Sequence, residues 1–137
     1  MKFPKEYIHK GKFKLHSGQF SNILYDVNSL LTDDFYVDYI LNKIPFSNHY
    51  IGIATGGAII ARLISREKKT KFSMIKDKEL KGEPPQSEWI LIDDVTTTGA
   101  SLEEAINIIR KKPSQIYIIL DRRPENKNPE VYSIFEP

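Results

Sequence analysis

The sequence has no cysteine. Disulfides, thiolate catalysis and cysteine-ligated zinc are therefore excluded. It has no apolar run of membrane-spanning length, and Met1 to Glu6 carries no apolar signal core. The expectation is a cytoplasmic protein with no membrane partner. An excess of either charge is missing too. Twenty Lys and Arg stand against 18 Asp and Glu, a net charge of +2, so charge alone does not call for nucleic acid. Two common phosphate-loop patterns, G-x-x-x-x-G-K-[ST] and G-x-G-x-x-G, are absent, and so are repeats and low-complexity tracts. What is present is 137 residues, 40% hydrophobic and 28% charged. That suffices for one domain with a core and is too little for two.

Apolar periodicity marks the elements. Phe13 to Leu15 and Ile23 to Tyr25 read as short strands. Thr32 reads as an N-cap, with Asp33 and Asp34 in the first turn of a helix whose stripe, Val37, Ile40, Leu41 and Ile44, stops at Pro45. Tyr50 to Ala54 is a short strand, Thr55-Gly56-Gly57 a turn, and Ala58 to Glu67 a helix with Ile60, Leu63 and Ile64 inward. Phe72 to Ile75 is a strand and Lys76 to Glu88 a polar loop. Trp89 to Ile92, apolar on both faces, reads as a buried parallel strand. Ser101 to Lys112 is a helix with Leu102, Ala105, Ile106 and Ile109 on one stripe. Gln115 to Leu120 and Val131 to Phe135 close the pattern as strands, with a turn-rich loop at 121–129 between them.

This is a βαβ rhythm, and right-handed crossovers predict an α/β doubly wound, mainly parallel sheet. The expected organisation is a single domain over 1–137, with a small N-terminal hood segment at 1–31 over a core at 32–137. The loops after Ala54, Asp93 and Leu120 would share one sheet edge, where such sheets bind ligands.

One of these loops, from Asp93 to Ser101, carries the most chemistry. Free N–H groups and the positive end of the helix dipole favour a phosphate at a strand-to-helix turn. Gly99 lets the backbone approach an anion, and Thr96, Thr97, Thr98 and Ser101 add hydroxyls without bulk, with Val95 and Ala100 between them. Asp93 and Asp94 would repel a phosphate. They make sense facing sugar hydroxyls, a metal or a developing cation, which points to a ligand with a phosphate at one end and a ribose in the middle.

Ile90 to Ser101 resembles the phosphoribosyl-diphosphate (PRPP) motif of type I phosphoribosyltransferases. Three further blocks, in order, are similar to the orotate branch of that family. Phe13 to Asp26 matches the pattern Phe-x-Leu-Lys-Ser-Gly at Ser17 and Gly18, and at the later Ser21; His16 stands in the lysine position, and the aromatic pair under the base becomes Leu24 and Tyr25. Met74 to Glu83 aligns with the mobile catalytic loop at Lys76, Gly82 and Glu83, while Ile75, Glu79 and Lys81 replace arginine, lysine and histidine. Leu120 to Glu125 carries Arg122 at the position of the arginine that clamps the orotate carboxylate.

The resemblance implies the type I phosphoribosyltransferase fold and transfer of ribose 5-phosphate from PRPP to a nucleobase, with orotate favoured. Asp93, Asp94, Lys76 and Lys81 would be the catalytic residues. PRPP would also contact His16, Thr55, Gly56, Gly57 and the loop from Val95 to Ser101. Leu24, Tyr25, Thr97 and Arg122 would meet the base. Mg²⁺ would be the cofactor, held mainly by PRPP and water with Asp93 or Asp94 as a further ligand, and the protein would be a homodimer. Two alternatives stay open: a purine phosphoribosyltransferase, and a PRPP-binding regulator without turnover, which the changes at Ile75, Glu79 and Gly56 motivate.

Overall fold

The computed structural model describes residues 1–15, 18–124 and 129–137. After a 3-10 turn at Lys5–Tyr7 the chain forms an antiparallel hairpin, β1 (Ile8–Lys14) and β2 (Phe20–Tyr25). The hairpin is closed where Leu15 N–H donates to Gln19 O at 2.7 Å. Two helices follow, α1 (Val27–Leu30) and α2 (Asp34–Lys43). The core is β3 (His49–Ile53), α3 (Gly56–Lys68), β4 (Lys71–Lys76), β5 (Glu79–Lys81), β6 (Ile90–Thr96), α4 (Ala100–Ile109), β7 (Gln115–Asp121) and β8 (Tyr132–Phe135). Among the described residues, no helix is long and apolar enough to cross a membrane.

The central sheet has the order β5-β4-β3-β6-β7-β8, parallel except for β5. The chain runs from β3 outward to β4 and β5, then returns to β6 on the other side of β3 and runs outward again. Strand order thus reverses between β3 and β6, which opens a crevice at their carboxyl ends.

Strand side chains alternate across the pleat, which sorts the core into two layers. Tyr50, Ile90, Ile92 and Ile119 pack with Ile60, Ala61 and Ile64 of α3 and with Leu30 and Ile40. Ile51, Ile75, Leu91, Ile116 and Ile118 pack with Leu102, Ala105 and Ile109 of α4. Each fully buried side chain of this kind is worth about 1.5–3 kcal/mol of transfer free energy. At the crevice α3 lies unusually close to the sheet. A Cβ on Gly52 would stand 2.3 Å from Gly57 O, and one on Gly57 would stand 2.4 Å from Ile92 O. No side chain fits at either position.

Local choices differ from the sequence reading at several points. Thr32 does not cap α2. Its hydroxyl donates to Ser29 O at 2.6 Å, because the short α1 ends there, and Asp33 takes the cap by accepting from Phe35 N–H at 3.0 Å. Helix α3 begins at Gly56, so the two glycines are its first turn rather than a separate one. Leu63 is 40% exposed, because α3 turns its small residue Ala61 to the sheet. Residues 76–88 are not a loop throughout. Asp77 and Lys78, with φ of 52° and 61°, turn the chain back into β5, and positive φ at both turn residues suits the twist of a tight hairpin.

The stretch after β5 is tied to the sheet interior. Ser73 Oγ donates to Glu83 O at 2.6 Å, and His49 Nε2 lies 2.8 Å from Ser73 Oγ. A hydroxyl has one hydrogen, so His49 Nε2 is the donor in the second bond. Burial, and then the charge of Lys71, push the His49 pKa down, which fits a neutral ring.

Candidate active site

A cavity of about 390 Å³ opens at the reversal of strand order. Its floor comes from Ile53 and Ala54 at the end of β3 and from Asp93 to Thr96 at the end of β6. Thr97, Thr98, Ala100 and Ser101 form one wall, where β6 turns into α4. Leu24, Tyr25 and Asp26, from the end of β2, lie opposite, with Lys14 and Leu15 from the end of β1. Arg122, just past β7, completes the lining.

The turn after β6 is built to leave a helix end open. Gly99 is the N-cap of α4 with φ of 85°, a conformation that side chains disfavour, and no side chain caps the helix. Thr96 Oγ1 accepts from Gly99 N–H at 2.9 Å, and Thr98 Oγ1 accepts from Ala100 N–H at 3.2 Å. These bonds hold the turn in shape, while the helix end, with its partial positive charge, faces the cavity.

The two acids differ in surroundings. Asp93 is 4% exposed and accepts from Asp94 N–H at 2.8 Å. Burial, then the adjacent Asp94 charge, push its pKa well above the usual carboxylate range. Asp94 is half-buried and accepts from Val95 N–H at 2.7 Å. It lies against the first turn of α3, where a Cβ on Gly56 would stand 2.9 Å from Asp94 Cβ. The peptide between Ala54 and Thr55, just before that turn, is cis.

On the opposite side, the Arg122 guanidinium lies 4.9 Å from the Tyr25 ring centroid and donates to Ser21 Oγ at 3.4 Å. Backbone pairing places it, since Arg122 N–H donates to Thr96 O at 2.9 Å. Asp26 accepts from the Ser29 backbone and hydroxyl and lies 3.1 Å from His9 Nε2; the Ser29 bonds, more than His9, hold its pKa low.

Of the residues singled out in the sequence, Leu24, Tyr25, Asp93, Asp94, Val95, Thr96, Thr97, Thr98, Ala100, Ser101 and Arg122 line this one cavity, and Gly99 sits among them. Gly56 touches Asp94, and Gly57 is pressed behind it on Ile92 and Asp93. Thr55, Lys76 and Lys81 are not on the lining. Lys76 pairs across the hairpin with Glu79, and Lys81 Nζ donates to Glu79 Oε2 at 2.8 Å. His16, Ser17 and Glu125 lie outside the described residues. The sequence reading missed Lys14, Asp26 and Asn28, all on the lining. Lys14 sits inside the amino-terminal signature at its variable position, so a motif comparison passes over it.

A mainly parallel sheet whose reversal point carries an acid pair beside an uncapped helix end defines the type I phosphoribosyltransferase fold. The solved structure of orotate phosphoribosyltransferase from Aeropyrum pernix superposes with a TM-score of 0.72 at 26% identity, covering 85% of this chain and 77% of that one. No protein-family model matches the chain. Among curated proteins, the orotate phosphoribosyltransferase of Methanosphaera stadtmanae is 32% identical over 133 residues, 84% of this chain and 75% of the relative. That of Aeropyrum pernix is 27% identical over 119 residues, and the chain spans 64% of its length. The chain belongs to the orotate phosphoribosyltransferase family.

Proposed function

We propose that the protein transfers ribose 5-phosphate from PRPP to orotate, giving orotidine 5′-phosphate and diphosphate. The observation that carries this reading is the open α4 end at Gly99, with the Asp93–Asp94 pair on one side of the cavity and Arg122 over Tyr25 on the other. The 5′-phosphate would bind the turn from Thr97 to Ser101, through N–H groups, hydroxyls and the helix dipole. The carboxylates would hold the ribose hydroxyls. The bond from C1′ to diphosphate oxygen breaks with its electron pair on the oxygen, the bond from C1′ to the ring nitrogen forms, and the nitrogen's proton goes to water. Positive charge grows on the ribose ring in between, and a carboxylate fixed beforehand stabilises it without reorganisation. Arg122 offers a planar fork suited to the carboxylate of orotate.

The donor set on the cavity is oxygen-rich, with Asp93, Asp94 and threonine hydroxyls, which suits a hard cation. Mg²⁺ bound with PRPP would neutralise diphosphate charge, and Asp94 is the better placed protein ligand because Asp93 is buried with a raised pKa. A homodimer is the expected assembly. Ile59 and Leu63, one turn apart on α3 and each 40% exposed, offer an apolar surface for it, and light scattering on the eluted peak tests it.

Diphosphate release with PRPP, Mg²⁺ and each of orotate, adenine, hypoxanthine, guanine and xanthine tests the activity. Orotate-dependent release supports the proposal, and release with a purine alone replaces it. A second reading, PRPP binding without turnover, draws on the positions of Lys76 and Lys81 off the cavity lining. PRPP binding with no product from any base would favour it.

A further inference from the structure

The ligand read for this cavity carries a phosphate at one end and a diphosphate at the other. The open α4 end accounts for the first. For the second, the Thr55-Gly56-Gly57 turn at the uncapped start of α3 offers N–H groups but no cation. Among the described lining residues two are cations, Lys14 and Arg122. Arg122 is engaged by the Tyr25 ring and the Ser21 hydroxyl, on the acceptor side. Lys76 and Lys81, the cations the sequence offers for this task, are off the lining, and Lys81 is paired with Glu79.

Lys14 has no such commitment among the described residues. It is the last residue of β1, paired with Phe20 across the hairpin. Just beyond it, Leu15 N–H donates to Gln19 O at 2.7 Å and Gly18 N–H donates to Leu15 O at 2.9 Å. Its backbone is thus placed by the hairpin, while its side chain is exposed and long enough to follow a ligand. An ammonium on a flexible stem suits an anion that must be released at the end of a turnover, since it holds charge without fixing geometry.

We propose that Lys14 binds the diphosphate group of the donor and of the product. The proposal rests on the transferase reading above, and its test separates the two. Binding of inorganic diphosphate with Mg²⁺, and separately of ribose 5-phosphate, is measured by calorimetry for the wild-type protein, Lys14→Ala, Lys14→Arg and Lys12→Ala. Lys12 is the control: it carries the same charge on the same strand but lies over the Phe20 ring, off the cavity lining.

Loss of one charge-assisted contact should weaken diphosphate binding by Lys14→Ala about ten-fold. Lys14→Arg should retain most of the affinity, and ribose 5-phosphate should bind every variant within about two-fold of wild type because its site is elsewhere. The Lys14→Ala difference should shrink in high salt. Equal losses in Lys12→Ala and Lys14→Ala would mean that only net charge matters, and would overturn the assignment. So would unchanged diphosphate affinity in Lys14→Ala, equal loss for both ligands, or no diphosphate binding by the wild type. Product formation with orotate is assayed alongside. Activity with unchanged diphosphate binding sinks the Lys14 role alone, whereas Lys14-dependent diphosphate binding without product from any base sinks the transferase reading alone.

Discussion

Arg122 and Tyr25 meet on one side of the cavity from different parts of the fold, with the guanidinium carbon 4.9 Å from the ring centroid. Tyr25 ends β2 and Arg122 follows β7, so the amino-terminal hairpin and the central sheet each supply half of this contact. If the pair orients the acceptor, Arg122→Ala should lower kcat/KM for orotate about 100-fold, the scale of a lost bidentate charge contact of about 3 kcal/mol. Arg122→Lys should recover little, because an ammonium lacks the planar fork. Steady-state kinetics with orotate varied checks this. An effect confined to the KM for PRPP would contradict it.

Asp94→Asn keeps shape and removes charge. Charge acting mainly in the transition state predicts a fall in kcat of about 10²–10³ with little change in PRPP affinity. Single-turnover rates and direct PRPP binding measure the two quantities separately. An unchanged kcat would remove Asp94 from the mechanism.

Asp93 links the site to stability. Its folded pKa is raised by burial and by Asp94. The unfolded chain, with a pKa of about 3.9, gives up the proton first as pH rises. A raised folded pKa contributes stability that is fully present below the unfolded value and is lost as pH rises through the folded value. Asp93→Asn escapes this loss. Without ligand, the variant should gain stability over wild type as pH climbs from about 4 towards neutrality. Urea unfolding across that range gives the difference, and a pH-independent gap would refute the linkage.

Beside Arg122, the next residue does a different job. Arg123 and Asp121 are 7% and 4% exposed and form a two-pronged ion pair at 3.0 and 3.2 Å, with Arg123 also donating to Pro129 O. Removing one partner strands a buried charge, so Asp121→Ala or Arg123→Ala should each cost about 3–5 kcal/mol of stability. The double change to Asp121→Leu and Arg123→Met should cost clearly less than the two singles summed. Denaturant midpoints for the four proteins decide it.

Much of this was legible in sequence because long apolar runs admit few readings. Trp89 to Ile92 could hardly be anything but a buried strand, and Asp93 to Ser101 follows it directly. What escaped was local chemistry without its usual signals. Asp77-Lys78 turns a hairpin that glycine or asparagine normally marks, so β5 was read as loop. Asp121 and Arg123 fall in a stretch that the sequence marks only as a turn-rich loop, yet both are buried, and Ser133 Oγ of β8 accepts from Asp121 N–H at 2.9 Å. Lys14 is one lysine among many on a mostly exposed strand, and nothing local distinguishes it from Lys10 or Lys12.

Strand β5 has a consequence apart from chemistry. A sheet of parallel apolar strands leaves unpaired N–H and C=O groups along its outermost strand, and such a border is a template for aggregation. Here β5 covers the end of β4 from Met74 to Lys76, and it is three residues long. Glu79 and Lys81 face outward, joined to each other, with Leu80 half-buried between them. A second extended polypeptide arriving there meets a short, charged strip rather than the long apolar ribbon behind it. The same lysine–glutamate spacing that disguised this strand as a loop thus gives this border of the sheet a charged face.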